Sequence, residues 1–297
     1  MPSREFNYSQ AFSRNLGWVT AAEQAVLRTK CVAIAGMGGV GGVHLVTLAR
    51  LGIGKFRIAD FDCFDLPNFN RQAGATTATV GLPKAQVMAD MVKEINPQAE
   101  ITIFAAGIDA TTVDAFISGA DIYVDGLDFF AFDARAITFA ACSHFGVPAV
   151  TAAPLGMGAA VLNFLPGRMS FETYFGWHGQ SEQEKALRFM VGLAPRLLHD
   201  YIVVPGSVDL DARKGPSTVM ACQLCAGIAA TEVLKILLGR GDLRCAPAGL
   251  HFDAYRNKMV TTWRPWGVRN PLQQLILVFA RWRLRQLRTA KSAAVPD

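Results

Sequence analysis

Short apolar runs and stretches with helical spacing alternate along the first half of the chain. The runs "CVAIA", "KFRIAD", "EITIFAAGI", "ADIYVDGLD" and "VPAVTAAP" have the length and composition of buried strands. Between them lie helical patterns, among them residues 40–52, "PKAQVMADMVKEIN" and "ARAITFAACSHFG". This order predicts an α/β fold built on a Rossmann-like, doubly wound and mostly parallel sheet.

The pattern changes after about residue 155. The stretch "MGAAVLNFLPG" predicts a strand, residues 166–215 read as irregular, and "STVMACQLCAGIAATEVLKILLG" predicts a long helix, buried on most sides, that ends at Gly239. A late hairpin is expected over "GLHFDAYRNKMVTTW", so the second half of the sheet should contain antiparallel strands. We therefore divide the chain into an N-terminal arm and helix (1–30), a central domain (31–265) and a basic amphipathic tail (266–297).

Composition narrows the class of protein. Of the 297 residues, 51% are hydrophobic and 18% are charged, which is typical of a globular chain and not of a disordered one. The six cysteines are scattered, and the start "MPSREFNYSQ" lacks the apolar core of a secretory signal, so we expect a cytoplasmic protein. We expect no membrane span, because no apolar run reaches the roughly 18 to 20 residues that one needs.

A glycine cluster lies between the first predicted strand and its helix. Gly36, Gly38 and Gly41 fit the pattern G-x-G-x-x-G, with Gly39 inside it, and Asp60 ends the next strand. In this position glycines let the backbone approach a pyrophosphate at a helix N-terminus, and the acid hydrogen-bonds a ribose. Nucleotide binding follows, but a redox dinucleotide and ATP both fit this pattern.

Side chains downstream of Asp60 favour ATP. Asn68, Arg71, Gln72 and Lys84 follow in the loop and at the start of the next helix. Hydride transfer does not require cationic side chains near the phosphates. Cleavage between the α- and β-phosphates of ATP does, because they stabilise the negative charge that builds on the departing pyrophosphate.

An acidic pair follows the fourth predicted strand. The stretch "DIYVDGLD" brings Asp125 and Asp128 to the carboxyl edge of the sheet, where open α/β sheets bind their ligands. An acid in this position can hold Mg²⁺ against phosphates, and we assign that role to Asp128.

Together these stretches resemble the ThiF/MoeB superfamily, the bacterial relatives of ubiquitin-activating enzymes. The matching motifs are, in order, "AGMGGVGG", "IADFD", "PNFNRQ", "VGLPKA", "INP" and "DGLD". The resemblance implies ATP- and Mg²⁺-dependent adenylation of a C-terminal carboxylate on a ubiquitin-like protein, a sulfur-carrier protein or a peptide. By position, it implies these site residues: phosphate contacts from Gly36, Gly38, Gly39 and Gly41, ribose contact from Asp60, triphosphate contacts from Asn68, Arg71, Gln72 and Lys84, and metal contact from Asp128.

The resemblance also implies a homodimer. The stretch "AFSRN" is similar to the family's N-terminal arginine segment, in which Arg14 would reach into the partner subunit's site. An exposed arm residue without such a role is the alternative for Arg14.

Three features depart from the family. The pair Cys222 and Cys225 lies within the long apolar helix, so we expect core packing and no zinc site. The stretch "VVPGSVDLDARKGPS" has no cysteine where some members carry a catalytic one, so a thioester or persulfide step on this chain is not expected. Phe129 occupies a position where the family usually has Asn. With Phe130 and Phe132 it forms either an apolar wall of the binding pocket or part of the hydrophobic core.

Two rival functions stay open. One is a tRNA threonylcarbamoyladenosine dehydratase-like enzyme, although the chain offers no base-reading motif, so nucleic acid is not an expected partner. The other is an NAD- or FAD-binding oxidoreductase or a nucleotide sensor.

The C-terminal tail interleaves apolar residues with four arginines, Arg281, Arg283, Arg285 and Arg288. This pattern indicates a basic amphipathic helix. Such a helix lies on an anionic membrane surface, docks on a partner or packs on its own domain.

Overall fold

The structure, a computed structural model, describes residues 5–209 and 212–293, and at positions 284, 285 and 287–293 it describes the backbone alone. Within this range eight strands form one sheet in the order β3-β2-β1-β4-β5-β6-β7-β8. The strands are β1 Cys31–Ala35, β2 Lys55–Ala59, β3 Glu100–Phe104, β4 Ile122–Asp125, β5 Ala149–Leu155, β6 Gly158–Phe164, β7 Ala248–Asp253 and β8 Lys258–Trp263.

The sheet is parallel in its first half and antiparallel in its second. Strands β1 to β5 pair in parallel, and β6, β7 and β8 add antiparallel neighbours to the β5 edge. Both halves were predicted from the sequence, and the Rossmann-like class is confirmed. Because β1 lies between β2 and β4, the chain reverses direction across the sheet at β1, and a ligand crevice forms there at the carboxyl edge.

Ten α-helices occur in the described part of the chain. They are α1 Tyr8–Ala11, α2 Ala21–Thr29, α3 Gly41–Leu51, α4 Lys84–Ile95, α5 Val113–Ile117, α6 Phe132–Phe145, α7 Phe171–Phe175, α8 Glu182–Leu193, α9 Val219–Leu238 and α10 Pro271–Ala293. Short 3₁₀ helices occur at Ser13–Asn15, Leu66–Asn68, Pro205–Ser207 and Gly267–Arg269.

Alternation along β1 divides the interior into two layers. Val32 and Ile34 join an aliphatic core beneath α3, α4 and α9, while Ala33 and Ala35 face an aromatic core beneath α5 to α8. The small alanine side chains leave room on the second face for the large rings of that core, such as Phe139. Both faces of the strand are therefore buried, as the continuous apolar run predicts.

The prediction that 166–215 is irregular is wrong in part, because α7 and α8 fall within it. Ser181 caps α8 by accepting a hydrogen bond from the Glu184 backbone N–H, and its helix buries Leu187 and Val191. The sequence around this helix mixes charged and aromatic residues, so its apolar residues do not show a clear helical spacing. The pattern serine, two residues, glutamate is nevertheless an N-terminal capping signal.

Helix α9 corrects the expectation about membrane spans. It is the one helix among the described residues that is long and apolar enough, by length and composition, to cross a bilayer. It packs against β5, β6 and α3 as a core helix does, and it ends at Gly239 in the left-handed conformation, as predicted.

The tail forms α10, which packs on α8 through a small apolar cluster centred on Leu277. Its helical character confirms the pattern seen in the sequence. The boundaries proposed at residues 30 and 265 stay predictions. The sheet they enclose is continuous from Cys31 to Trp263.

Candidate active site

The glycine turn between β1 and α3 closes tightly against the end of β4. Gly36 has φ +85°, a conformation that other residues rarely adopt, and a Cβ on it would lie 2.3 Å from the Gly126 carbonyl oxygen. A Cβ on Gly41 would lie 1.7 Å from the Gly36 carbonyl oxygen. These three glycines are therefore required by close backbone packing, and Gly126 is a member of the set that sequence reasoning did not single out.

The other two glycines of the turn face the neighbouring loop. The nearest atom to a Cβ on Gly38 would be Nε2 of Gln72, at 3.7 Å. A Cβ on Gly39 would lie 3.2 Å from both Cγ of Arg71 and Sγ of Cys222. The structure thus brings Arg71 and Gln72, both predicted site residues, to the outer face of the turn.

Asp60 braces the turn from the end of β2. Its Oδ2 accepts a 2.6 Å hydrogen bond from the Met37 backbone N–H, and its Oδ1 accepts a 2.7 Å bond from Asp62 N–H. Burial raises the pKa of this carboxyl group, while the two N–H donors and the nearby charge of Lys84 act in the opposite direction. Asp60 therefore lies beside the turn, and its contact with a ribose stays a prediction.

Lys84 is a nearly buried cation at the same place. It is the first residue of α4, its side chain is 8% exposed, and its Nζ lies 3.1 Å from Oδ2 of Asp62. A lysine is rarely buried unless it has an anionic partner. The backbone N–H of its partner Asp62 donates to Oδ1 of Asp60, so Lys84 belongs to the same group of contacts that braces the glycine turn.

A short helix positions Arg71, Gln72 and Asn68. Asn68 Oδ1 accepts a 3.0 Å hydrogen bond from Asp65 N–H, and its carbonyl oxygen accepts bonds from the backbone N–H groups of Arg71 and Gln72. The Arg71 guanidinium donates to the Pro67 carbonyl at 3.2 Å and to Oδ1 of its neighbour Asn70 at 2.9 Å. Arg71 is only half-buried, so its head group borders solvent and can meet a ligand.

Gln72 carries an unusual buried acceptor. Its side chain is buried, and Oε1 has no hydrogen-bond partner within the described residues. An unpaired buried amide oxygen is unfavourable by about 1–3 kcal/mol, so this position suits a donor from a bound molecule. A nucleotide offers such donors in its ribose hydroxyls and adenine amine.

The two acids after β4 have different roles. Asp125 is buried, and its Oδ2 accepts hydrogen bonds from Arg135 Nε at 2.8 Å and from Thr151 Oγ1 at 2.9 Å. Asp128 is exposed, and its Oδ1 accepts a 2.9 Å bond from the Phe130 backbone N–H. Asp128 is therefore the acid of this pair that can approach a metal ion and phosphates.

Arg135 is a site residue that sequence reasoning missed. Its guanidinium pairs with Asp125 and donates to the carbonyl oxygens of Leu127 (2.7 Å), Asp128 (2.9 Å) and Phe129 (3.2 Å). Both members of the ion pair are almost fully buried. Arg135 therefore sets the course of the loop that carries Asp128. No motif marks it, because the contact depends on how α6 folds back over the strand end.

Phe129 and its neighbours pack chiefly as core. The ring of Phe129 lies 5.4 Å from that of Phe189 on α8, and Phe132 is buried against Trp177. Phe129 and Phe130 are only partly buried, so their edges still border the loop around Asp128.

Arg14 does not reach this chain's own glycine turn. It is exposed in the 3₁₀ helix Ser13–Asn15, and Asn15 Nδ2 donates a 3.1 Å hydrogen bond to the Leu51 carbonyl at the C-terminal end of α3. The glycine turn is at the opposite end of α3, about 16 Å away for eleven residues. A second chain would be needed to bring such an arginine to the site.

The cysteine pair lies in the core. Cys222 and Cys225 are fully buried in α9, and burial raises the pKa of both thiols. Within the described residues, no three His, Cys, Asp or Glu side chains are grouped in a way that could hold a metal ion.

Comparison with known proteins places these features in a family. The chain is 35% identical over 118 residues to the tRNA threonylcarbamoyladenosine dehydratase of Bacillus subtilis, an alignment that covers 39% of this chain and 46% of the dehydratase, about half its length. It is 27% identical over 224 residues to the SAMP-activating enzyme E1 of Haloferax volcanii, covering 74% of this chain and 71% of that protein.

The fold also matches a solved structure. Escherichia coli MccB, crystallised with ATP, superposes with a TM-score of 0.66 at 20% identity, and the match covers 92% of this chain and 75% of MccB. At this level of identity the similarity establishes the fold. The ThiF family pattern extends over residues 12–274, from the arm to the start of α10. The resemblance inferred from six ordered motifs is thus confirmed, and the chain belongs to the ThiF family.

Proposed function

We propose that this protein is an ATP- and Mg²⁺-dependent adenylyltransferase that activates the C-terminal carboxylate of a protein or peptide. The observation that carries the proposal is the position of two cationic side chains around the glycine turn. Arg71 packs its stem over Gly39, and Lys84 pairs with Asp62, whose backbone N–H donates to Asp60, the residue that braces the turn. We infer that both charges would stabilise an anion held by the turn.

The chemistry needs such charges more than it needs a base. A carboxylate is already an anion at neutral pH, so its oxygen can attack the α-phosphate of ATP without prior proton removal. Pyrophosphate departs, and negative charge grows on it as the bond breaks. Arg71 and Lys84 would stabilise that charge, and the turn would position the phosphates for in-line attack.

The residues present also fit a magnesium ion. Asp128 is an exposed carboxylate at the carboxyl edge of β4, on a loop held by Arg135. Oxygen ligands from one or two carboxylates and from phosphates are what Mg²⁺ usually takes. When bound, the ion would neutralise part of the charge on the leaving pyrophosphate.

The relatives support this class of reaction and of acceptor. One relative is a SAMP-activating enzyme E1, and the structural neighbour MccB has been crystallised with ATP and with MccA. We propose a ubiquitin-like protein, a sulfur-carrier protein or a peptide as the acceptor, and a cytoplasmic location. We propose a homodimer in which Arg14 enters the partner subunit's site, since it cannot enter its own.

Nucleotide binding and exchange test the proposal together. In calorimetry, we expect ATP with Mg²⁺ to bind more tightly than NAD. We also expect radiolabelled pyrophosphate to exchange into ATP when the carboxylate is supplied by a fraction of small proteins prepared from the cells that make this enzyme. Lys84→Met should remove exchange, whereas Lys55→Met, which removes a surface ion pair with Glu100, should not. Tighter binding of NAD, or exchange that Lys84→Met leaves intact, would exclude this function.

A second candidate is the tRNA threonylcarbamoyladenosine dehydratase reaction, because the B. subtilis dehydratase is 35% identical over its aligned part. It would use the same ATP site but a carboxylate attached to tRNA. Exchange of pyrophosphate that depends on modified tRNA, and that survives removal of small proteins, would favour this candidate.

A further inference from the structure

Helix α10 uses one face to pack on its own domain. Leu277 is fully buried against Leu187 and Val191 of α8. Arg281 donates two hydrogen bonds to the Glu184 carboxylate, at 3.0 Å from Nε and 2.6 Å from Nη2. These contacts hold the first three turns of the helix in a defined orientation.

The opposite face of the same helix is apolar and exposed. Five side chains at helical spacing are between 50% and 67% exposed, and we call them the outer face: Leu272, Leu275, Val278, Phe279 and Trp282. At 100° per residue they lie about half a turn away from Leu277. A helix that packs on one side normally has polar residues on the other, so a large apolar outer face indicates a partner.

The charge of the helix is entirely of one sign. Residues 271–293 contain four arginines, one lysine and no aspartate or glutamate, and these five charges equal the net charge of +5 for the whole chain. Arg281 is neutralised by Glu184, and Arg283 is exposed next to Trp282. The basic residues begin where the outer face ends, so the partner is expected to be both apolar and anionic.

We propose that the outer face of α10 docks on the surface of an anionic lipid bilayer, with the helix lying in the plane of the interface. Phe279 and Trp282 would enter the boundary between head groups and acyl chains, and the exposed Arg283 next to Trp282 would contact lipid phosphates. Exposed Trp266, five residues before the helix begins, adds a further aromatic side chain of the kind enriched at such interfaces.

Two other partners fit these observations less well. A nucleic acid would use the charges but would leave the apolar outer face in water. A second copy of the chain, related by a two-fold axis, would bring two strongly basic helices together and incur mutual repulsion. A lipid surface satisfies both the apolar and the cationic parts.

Vesicle flotation with the full-length chain tests the proposal. We expect binding to vesicles of phosphatidylcholine with about 30% phosphatidylserine, and weaker binding to phosphatidylcholine alone, since each basic residue near such a surface is worth about a fivefold change in affinity. The double variant Phe279→Ser, Trp282→Ser should reduce binding about tenfold or more. The matched control is Tyr255→Ser, Met259→Ser, which removes two similarly exposed apolar side chains from the β7–β8 hairpin.

Circular dichroism and thermal unfolding of each variant establish that the fold is intact. The proposal is overturned if the wild-type chain does not float, if both lipid mixtures bind it equally, or if the outer-face variant floats like the control. It is equally overturned if the outer-face substitutions dissociate a dimer in solution or abolish RNA binding while flotation is unchanged. Pyrophosphate exchange should be the same in all these variants, because none of the four positions lies in the nucleotide site.

Discussion

A Cβ added to Gly41 would lie 1.7 Å from the carbonyl oxygen of Gly36, whereas one added to Gly38 would find no atom closer than 3.7 Å. The two glycines belong to one motif but have different physical reasons to be glycine. Because Gly41 has no side chain, helix α3 can begin in direct contact with the backbone at the end of β1. Gly38 leaves the outer face of the turn open.

We therefore expect opposite effects from two alanine substitutions. Gly41→Ala should lower the free energy of unfolding by about 3 kcal/mol or more, because backbone must move to relieve the overlap. Gly38→Ala should stay within about 0.5 kcal/mol of wild type, yet weaken ATP binding about tenfold or more, because its methyl group occupies the anion-facing surface. Urea unfolding and calorimetric titration measure these two quantities. Equal losses of stability in both variants would contradict this division.

Arg71 should not tolerate replacement by lysine. The stem of Arg71 packs over Gly39 and its guanidinium is oriented by the Pro67 carbonyl and Asn70. Lysine keeps the charge but loses the planar, two-pronged donor. We expect Arg71→Lys to lower the exchange rate about 10- to 100-fold with unchanged stability. Arg50→Lys, at an exposed position on α3, is the control, and a similar rate in both variants would remove the catalytic role of Arg71.

The buried pair of Arg135 and Asp125 should matter more for folding than for chemistry. Removing the guanidinium leaves Asp125 buried with one donor fewer and releases three loop carbonyls. Arg135→Met should cost about 3–5 kcal/mol, and the further change Asp125→Leu should recover part of this loss. Thermal or urea unfolding of the single and double variants measures the coupling. If Arg135→Met unfolds like the wild type, the loop is held by other contacts.

Two buried histidines should make the protein sensitive to mild acid. Burial lowers the pKa of His44 and of His251 to about 4, and neither ring has a hydrogen-bond partner in the described part of the chain. The unfolded chain binds these protons near pH 6.5, so stability is complete above that pH. It should then fall by about 1.4 kcal/mol per pH unit for each histidine until pH 4.

Urea unfolding between pH 7.5 and pH 4.5 checks this dependence. His251→Gln should reduce the slope of stability against pH, while His144→Gln, at an exposed position, should not change it. A slope that is identical in all three proteins would show that other groups control the acid sensitivity.

Mixing two inactive variants tests the proposed dimer. Arg14→Ala and Lys84→Met should each lose exchange activity, but in a hybrid dimer one site retains both native side chains. An equal mixture, denatured and refolded together, should recover about a quarter of wild-type activity. Recovery of none, with hybrids present by mass spectrometry, would mean that Arg14 serves its own chain, and full activity of Arg14→Ala alone would mean that it serves no site.

The layered sheet, the glycine turn and the late hairpin were all predictable from local sequence patterns. The sheet and the hairpin produce short apolar runs between helices and turns, and the turn produces a cluster of closely spaced glycines. Arg135 and Gly126 were not, because their roles depend on contacts across the fold. Helix α8 lies between these cases. Its capping signal at Ser181 was present, but the charged residues of its first turns obscured the helical period.

The place of Arg14 beside the far end of α3 has a consequence for enzyme assays. If two chains make each site, then specific activity falls when the protein is diluted below the dissociation constant of the pair, although every chain remains folded. Loss of rate on dilution would accordingly report separation of subunits, and addition of a catalytically dead chain with an intact arm would restore it.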